Sequence, residues 1–435
     1  MSGLSSILER RFKLRDHQTT WRRELNAGAT TFLAMAYITV VNPTILAEAG
    51  MDFGAVFVAT CLAAAFGSLI MGLVANYPIG LAPGMGQNAF FTYTIVLSMG
   101  NPWQAALGAV FVSGLMFLLI SVLPIREWLI NSIPRNLKLG MAAGIGLFLA
   151  FIAARNSGIV IDNPATLIGL GDLTSFEPLA ALFGFALITA LASRNIAGAV
   201  IIGMLVVAVM SWLTGMQSFS GVVSLPPSPA PVFLQLDIAA ALQPSMISVI
   251  LALLLVDVFD TAGTLVGVTS RAGLLDADGR LPRLRGALLA DAGATVAGAL
   301  AGTSPTTSYI ESAAGVQAGG RTGLTAVCIA GLFLLCLVFA PLAQSVPAYA
   351  SGAALLFVAA LMARSFADLD WDDITEAAPA VVTAVAMPLS FSIADGIGIG
   401  FISYAAIKIL AGQARQCPPA VYVIALVFAI RFVAL

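Results

Sequence analysis

Apolar residues come in long unbroken runs separated by short polar stretches, and this spacing predicts membrane-spanning helices rather than amphipathic ones. The runs cover residues 27–50, 54–75, 84–98, 103–123, 138–155, 176–193 and 196–214, then 245–268, 285–302, 306–318, 323–343, 348–364, 375–390 and 392–411. Most approach the ~20 residues that a helix needs to cross a bilayer. Two are short, 84–98 and 306–318, and each follows a Gly/Pro-rich approach, PIGLAPGMGQ and AGTSPTT. A last apolar run, Ala420–Leu435, reads as an extra span or an interfacial helix.

Composition strengthens this reading. Of 435 residues, 59% are hydrophobic and 10% charged, far below the roughly 25% charged residues of a soluble domain. No Asp, Glu, Lys or Arg occurs from Phe53 through Ile125. The expected fold is an all-α polytopic membrane protein in the cell membrane. Lys and Arg concentrate on the cytoplasmic side of such proteins. The basic ERRFKLRDHQTTWRR therefore places the N-terminus inside, together with REWLINSIPRNLK, SRN, SRAGLLDADGRLPRLRG, AGGRTG and KILAGQAR. The intervening loops AEAGMDFG, IVIDNPATLIGLGD and QSVPAYASG carry no Lys or Arg. This alternation fits fourteen spans.

Other chemistries find no footing. A net charge of −2 without a basic tract argues against nucleic acid. Cys61, Cys328, Cys336 and Cys417 form no C-x-x-C pair, and the single His17 stands in the polar N-terminal segment. Neither a metal site, a cofactor site nor a nucleophile–base set is expected. The N-terminus is polar before any long apolar run, so no cleavable signal peptide is expected.

Seven is an odd number of spans, so a second block of seven must enter the membrane inverted. The two short runs are the third of each block. Short, Gly/Pro-interrupted spans at corresponding positions point to the binding site of an inverted-repeat transporter. The alternative for such segments is tight helix crossing at small residues.

Two acids then stand out, because a carboxylate at the bilayer centre costs roughly 2.5–3.5 kcal/mol. Asp260 lies in SVILALLLVDVFDTAGTLVGV, where Asp257, Asp260, Thr261 and Thr264 share one helical face and Gly267 extends it. Glu311 lies in AGTSPTTSYIESAAGV. Pro305 suits the start of a half-helix, with Thr306, Thr307 and Ser308 in its first turn and Thr307, Ser308, Glu311, Ser312 and Gly315 as a polar stripe. The matching segment LAPGMGQNAFFTYTI breaks at Pro83 and Gly84 and offers Gln87 and Asn88 as amide groups and Phe90 and Phe91 as rings. Span 1 contributes Tyr37 and Asn42, and a structural polar network is the alternative role for Asp257.

The stretches ELNAGATTFLAMAYITVVNPTIL, GLAPGMGQNAFF, DVFDTAGTLVGV, GTSPTTSYIESAAG and MPLSFSIADGIGIGFISY resemble the AzgA-like purine permeases, a branch of the nucleobase–ascorbate (nucleobase–cation symporter) transporters, from about Glu9 to Arg431. The resemblance implies fourteen spans as two inverted repeats of seven (7+7), with a short extended stretch and a half-helix in spans 3 and 10. It implies a cytoplasmic segment 1–26, a core domain from 27–123 (spans 1–4) and 245–345 (spans 8–11), and a gate domain from 124–244 (spans 5–7 and an outer loop) and 346–435 (spans 12–14 and the last apolar run). It places the family's eighth-span acid on Asp260 and its tenth-span glutamate on Glu311. Related uracil and xanthine permeases carry a histidine where Thr264 stands, so one titrating group is missing here. Adenine, guanine or hypoxanthine is the implied substrate, a proton the implied coupling ion, and a homodimer through the gate domains the implied assembly.

The expected mechanism is import by alternating access. Asp260 and Glu311 accept hydrogen bonds from purine N–H groups, backbone N–H groups near Ser308 and Gln87 meet ring acceptors, and Phe90 or Tyr37 covers the ring face. Thr264 and Asn88 complete the polar lining. Asp260 or Glu311 carries the proton, with Asp257 as the third candidate. The Ala/Gly-rich faces of GMAAGIGLFLAF and SGAALLFVAALMA are expected to slide. An anion exchanger or channel of similar 7+7 architecture is the alternative, and it calls for Arg or Lys at the half-helix termini, where neither occurs.

Overall fold

A computed structural model describes residues 3–123, 133–276 and 281–434. Much of REWLINSIPRNLK, the middle of SRAGLLDADGRLPRLRG and the terminal Leu435 lie outside the described residues. Among the described residues, ten helices are long and apolar enough to cross a membrane. They supply spans 1 (Trp21–Glu48), 2 (Phe53–Ala75), 4 (Trp103–Val122), 5 (Arg135–Asn156), 6 (Phe176–Ser193), 8 (Pro244–Arg271), 9 (Leu284–Ala301), 11 (Gly323–Gln344), 12 (Ala348–Asp368) and 14 (Ile393–Leu410). Spans 7 (Ala199–Leu213) and 13 (Ile374–Ser390) are shorter apolar helices. Spans 3 and 10 are built differently: span 10 from a strand and a short helix, span 3 from a strand, a short α-helix and a π-helical stretch over Phe90–Ser98.

Local chemistry sets the boundaries. Span 1 starts at Trp21, inside the stretch 1–26 read from sequence as a polar segment, because Thr20 caps it by accepting the Arg23 N–H at 3.4 Å. Its charged residues form a first helical turn rather than a loop. Asp52 caps span 2 by accepting the Ala55 N–H at 2.7 Å, and Ser392 caps span 14 by accepting the Asp395 N–H at 3.1 Å. Such side chains satisfy N–H groups that a helix start leaves unpaired.

The packing repeats between the two halves of the chain. Span 4 lies on span 9 as span 11 lies on span 2, span 8 on span 4 as span 1 on span 11, and span 6 on span 12 as span 13 on span 5. Each contact recurs with every partner advanced by seven. The fold is therefore a 7+7 inverted repeat, as expected. Two features were not foreseen, and a third bears on the last apolar run, expected as an extra span or an interfacial helix. Val160–Asn163 pairs antiparallel with Leu167–Leu170 in the 5–6 connection. Span 2 ends in a π turn over Met71–Ala75. Pro419–Ala434 forms a helix that packs on span 14, tied there by Arg431 to Asp395 at 2.6 Å.

The small residues of GMAAGIG serve packing within one group of helices. A methyl on Gly140 or Gly144 would strike Ala380 or Met387 of span 13, and one on Gly146 would strike Met362 of span 12. On the same helix, the Ile145 side chain fills the space beside Gly86 of span 3. This face is thus mainly an anchor for spans 12 and 13, where the sequence suggested a sliding surface.

Candidate functional site

Spans 3 and 10 meet at the centre of the bundle. Leu81–Pro83 pairs antiparallel with Thr306–Ser308, with Leu81 opposite Ser308 and Pro83 opposite Thr306. The Gly84 N–H donates to Pro305 O at 2.8 Å and the Tyr309 N–H to Gly80 O at 3.0 Å. Irregular backbone survives at this depth because each segment satisfies the other. Helix follows at Met85–Ala89 in span 3 and at Ser312–Gln317 in span 10. Thr306, Thr307 and Ser308 therefore belong to a strand, which corrects the expectation that Pro305 starts a half-helix. The polar stripe from Thr307 to Gly315 is not helical as a whole. The cause is nonlocal: pairing with 81–83 captures residues whose local spacing suits a helix.

Glu311 sits at the N-cap of the span 10 helix and accepts from Tyr37 Oη at 2.7 Å. Tyr37 lies at the junction of Trp21–Met35 and Ile38–Glu48 in span 1, where the backbone stays in the right-handed helical region. The helix of span 10 lies close on span 1, for a methyl on Gly315 would collide with Thr31 Oγ1 and Ala27 O. Tyr309, on the same turn as Glu311, donates to Pro83 O at 2.5 Å.

The span 8 face divides. Asp257 is buried and accepts from Gln87 Nε2 at 3.1 Å. Thr295 Oγ1 of span 9 lies 3.1 Å from its other oxygen. Thr261 donates to Asp291 Oδ2 at 2.7 Å and sits 2.9 Å from Thr307 Oγ1. Ser308 donates to Asp291 Oδ1 at 2.7 Å. Asp260 is exposed and makes no hydrogen bond or ion pair among the described residues. It stands within Coulombic reach of Asp257 and Glu311. Thr264 is buried on the same helix.

Four of the sequence-derived residues thus form two bonded pairs, Tyr37–Glu311 and Gln87–Asp257, while Asp260 has no bonded partner among the described residues. Ser308 points to Asp291 instead of standing free. Asn88 is buried, its amide nitrogen 4.0 Å from Met85 Sδ. Phe90 is buried and packed with the apolar core. Two buried acceptors, Gln87 Oε1 and Asn88 Oδ1, find no partner among the described residues. Asn42 donates to Thr60 and Thr303, both at 2.8 Å, and so ties span 1 to span 2 and to the 9–10 link.

Two further acids matter. Asp291 holds Thr261 and Ser308 together, and its position inside the apolar span 9 was signal enough to find it. Glu24 is buried in the first turn of span 1. It accepts from the Arg321 N–H at 3.0 Å, the Thr322 N–H at 3.1 Å and the hydroxyls of Thr322 and Thr325 at 2.8 and 2.7 Å. It thereby caps span 11 from another helix. Nothing local in the sequence distinguishes it from a loop carboxylate.

A cavity of about 340 Å³ reaches Glu311, walled by Thr30 and Ala34 of span 1, Asn195 and Val200 around span 7, Gln317 of span 10 and Phe357 of span 12. That volume lies at the lower end of the roughly 300–1,000 Å³ that small-ligand sites enclose. Of the acids and the span 3 amides named above, Glu311 is the one that lines this cavity, and neither half-helix carries a Lys or Arg.

Residues 22–399 match the Permease family. The chain is 48% identical to the adenine permease AdeP of Escherichia coli K12, over 98% of this chain and 96% of that one. It is 44% identical to the guanine/hypoxanthine permease PbuO of Bacillus subtilis 168, over 97% of this chain and 99% of that one. Among solved structures, the transmembrane domain of the cyanobacterial bicarbonate transporter BicA superposes with a TM-score of 0.64 at 16% identity, covering 86% of this chain and 96% of that one. That last likeness is one of fold alone.

Proposed function

The chain belongs to the Permease family, is a multi-pass membrane transport protein rather than an enzyme, and on that premise we propose that it imports purine nucleobases with protons by alternating access. The observation that carries this reading is the acceptor-rich site: Glu311, Asp260 and the unpartnered oxygens of Gln87 and Asn88. A buried acceptor without a donor costs about 1–3 kcal/mol, and purine N–H groups are donors of the right kind. A site built this way rejects analogues that lack those donors. Relatives named as adenine and guanine/hypoxanthine permeases support the same substrate class.

In this reading spans 1–4 and 8–11 form the core that carries the base, and spans 5–7 and 12–14 form the gate. The N-terminus is cytoplasmic and the membrane is the cell membrane. Glu311 Oε1 is already engaged by Tyr37, so its second oxygen and both oxygens of Asp260 are left for the base and the proton. Asp257, held by Gln87, serves chiefly to fix that amide. A homodimer through the gate domains completes the proposed assembly.

The fold likeness to a bicarbonate transporter brings anion transport forward as the competing reading. An anion would meet Asp260 and Glu311 with no Lys or Arg on either half-helix to offset them. Radiolabelled adenine, guanine and hypoxanthine uptake in cells lacking their own purine carriers tests the proposal. Entry of at least one base, abolished by a protonophore, is the expected result. Failure of all three would overturn it.

A further inference from the structure

The cavity beside Glu311 is lined by Thr30 and Ala34 of span 1 and by the 6–7 link at Asn195, whereas the opposite end of the bundle holds a compact set of contacts that the transport site does not use. At that end spans 1, 3, 5 and 13 finish. Glu48, the last residue of the span 1 helix, accepts from Tyr93 Oη at 2.8 Å and from Asn156 Nδ2 at 2.9 Å. Asn156, the last residue of span 5, also lies 3.1 Å from Tyr93 Oη. The polar triangle therefore joins spans 1 and 3 to span 5.

Beneath it sits Phe391, in the two-residue turn between spans 13 and 14. Its ring lies edge-on to Tyr93 at 5.8 Å, to Phe148 at 5.5 Å and to Phe151 at 5.7 Å, with the Arg155 guanidinium 5.9 Å above it. Thr94 Oγ1 of span 3 is 3.4 Å from its carbonyl oxygen. Phe391 adopts φ +54°. A bulky residue in the left-handed region is strained and persists only where its surroundings impose it. A glycine would hold this turn without strain, so the ring itself is what the position keeps.

We propose that Phe391, with the Glu48–Tyr93–Asn156 triangle above it, is the latch that closes the outer end of the transport path in this conformation. It rests on the alternating-access reading and adds the residues that must part. Tyr93 and Glu48 would travel with the core, and Phe391, Phe148, Phe151 and Asn156 would stay with the gate. Sliding the core strips the Tyr93 ring contact from Phe391 and breaks the two hydrogen bonds that Asn156 donates, one to Glu48 and one to Tyr93. The aromatic nest excludes water, and the triangle at the rim sets the register in which the nest closes.

Thr94→Cys provides a reporter directly under the latch. Labelling of intact cells by a membrane-impermeant maleimide is measured as the difference from the chain without the added cysteine. Phe391→Gly should raise the labelling rate about tenfold or more, since three ring contacts are lost. Asn156→Asp sets a second carboxylate against Glu48 at a half-exposed site that leaves folding intact, and should raise the rate about threefold. The double exchange Glu48→Gln/Asn156→Asp restores a donor and an acceptor at the same place and should return labelling toward the starting rate. Unchanged labelling in Asn156→Asp, or an equal rise on Phe117→Ala, a buried ring remote from the latch, would overturn the proposal. No purine is needed for this readout. Absent purine uptake with latch-dependent labelling sinks the substrate reading alone, and normal purine uptake with latch-independent labelling sinks the latch alone.

Discussion

Tyr37 and Glu311, 274 residues apart in sequence, share a hydrogen bond of 2.7 Å at the centre of the bundle. The bond couples the junction in span 1 to the cap of the span 10 helix, so one polar contact orders both halves of the repeat. Removing the hydroxyl leaves a half-buried carboxylate one donor short, and a hydrogen bond to a charged group is worth about 1.5–3 kcal/mol. Tyr37→Phe should therefore raise the KM for purine uptake about 10- to 100-fold with little change in protein level. Glu311→Gln keeps the shape but removes the charge, and should abolish uptake. Wild-type uptake with wild-type pH dependence in Glu311→Gln would exclude it from the site.

Gln87 and Asp257 form the second bond across the site, at 3.1 Å. In Gln87→Glu two carboxylates would face each other with no water between them. An uncompensated buried charge costs about 3–5 kcal/mol, so the variant should reach the membrane in much smaller amounts. Adding Asp257→Asn exchanges acceptor and donor and should restore the amount, which a surface-expression assay reads directly. Equal expression of Gln87→Glu and the parent chain would show that the pair is not close in the membrane.

Gly315 is where the span 10 helix rests on span 1, with no room for a methyl against Thr31 and Ala27. Overpacking of this kind costs about 1–3 kcal/mol. Gly315→Ala should push Glu311 away from Tyr37, so uptake should fall more than the melting temperature does. A variant that loses stability but keeps its KM would count against this geometry.

Glu24 accepts four hydrogen bonds at the start of span 11. Glu24→Ala leaves those donors buried and unpaired, at about 1–3 kcal/mol each before relaxation. The purified protein should melt well below the parent, and Glu24→Gln should recover part of the loss. Unchanged melting would mean that water replaces the carboxylate.

Sequence alone determined the membrane class, the fourteen spans and their inverted halves. Span length and charge-free runs are local properties, and the bilayer reads them directly. It also singled out Asp257, Asp260, Glu311, Gln87 and Tyr37, because polar groups in apolar runs need a reason to be there. Tertiary structure decided what each of them does. Thr306–Ser308 reads as a helical start in isolation and becomes a strand only because Leu81–Pro83 lies beside it. Asp257 and Asp260 share a helical face by spacing, yet one is tied to Gln87 and the other is left open. Asp291 is an acid in the apolar span 9 that the sequence reading passed over, and its hold on Thr261 and Ser308 depends on three segments meeting. Hydrogen bonds between residues distant in sequence follow from how helices are placed, and placement is set by the whole bundle's packing.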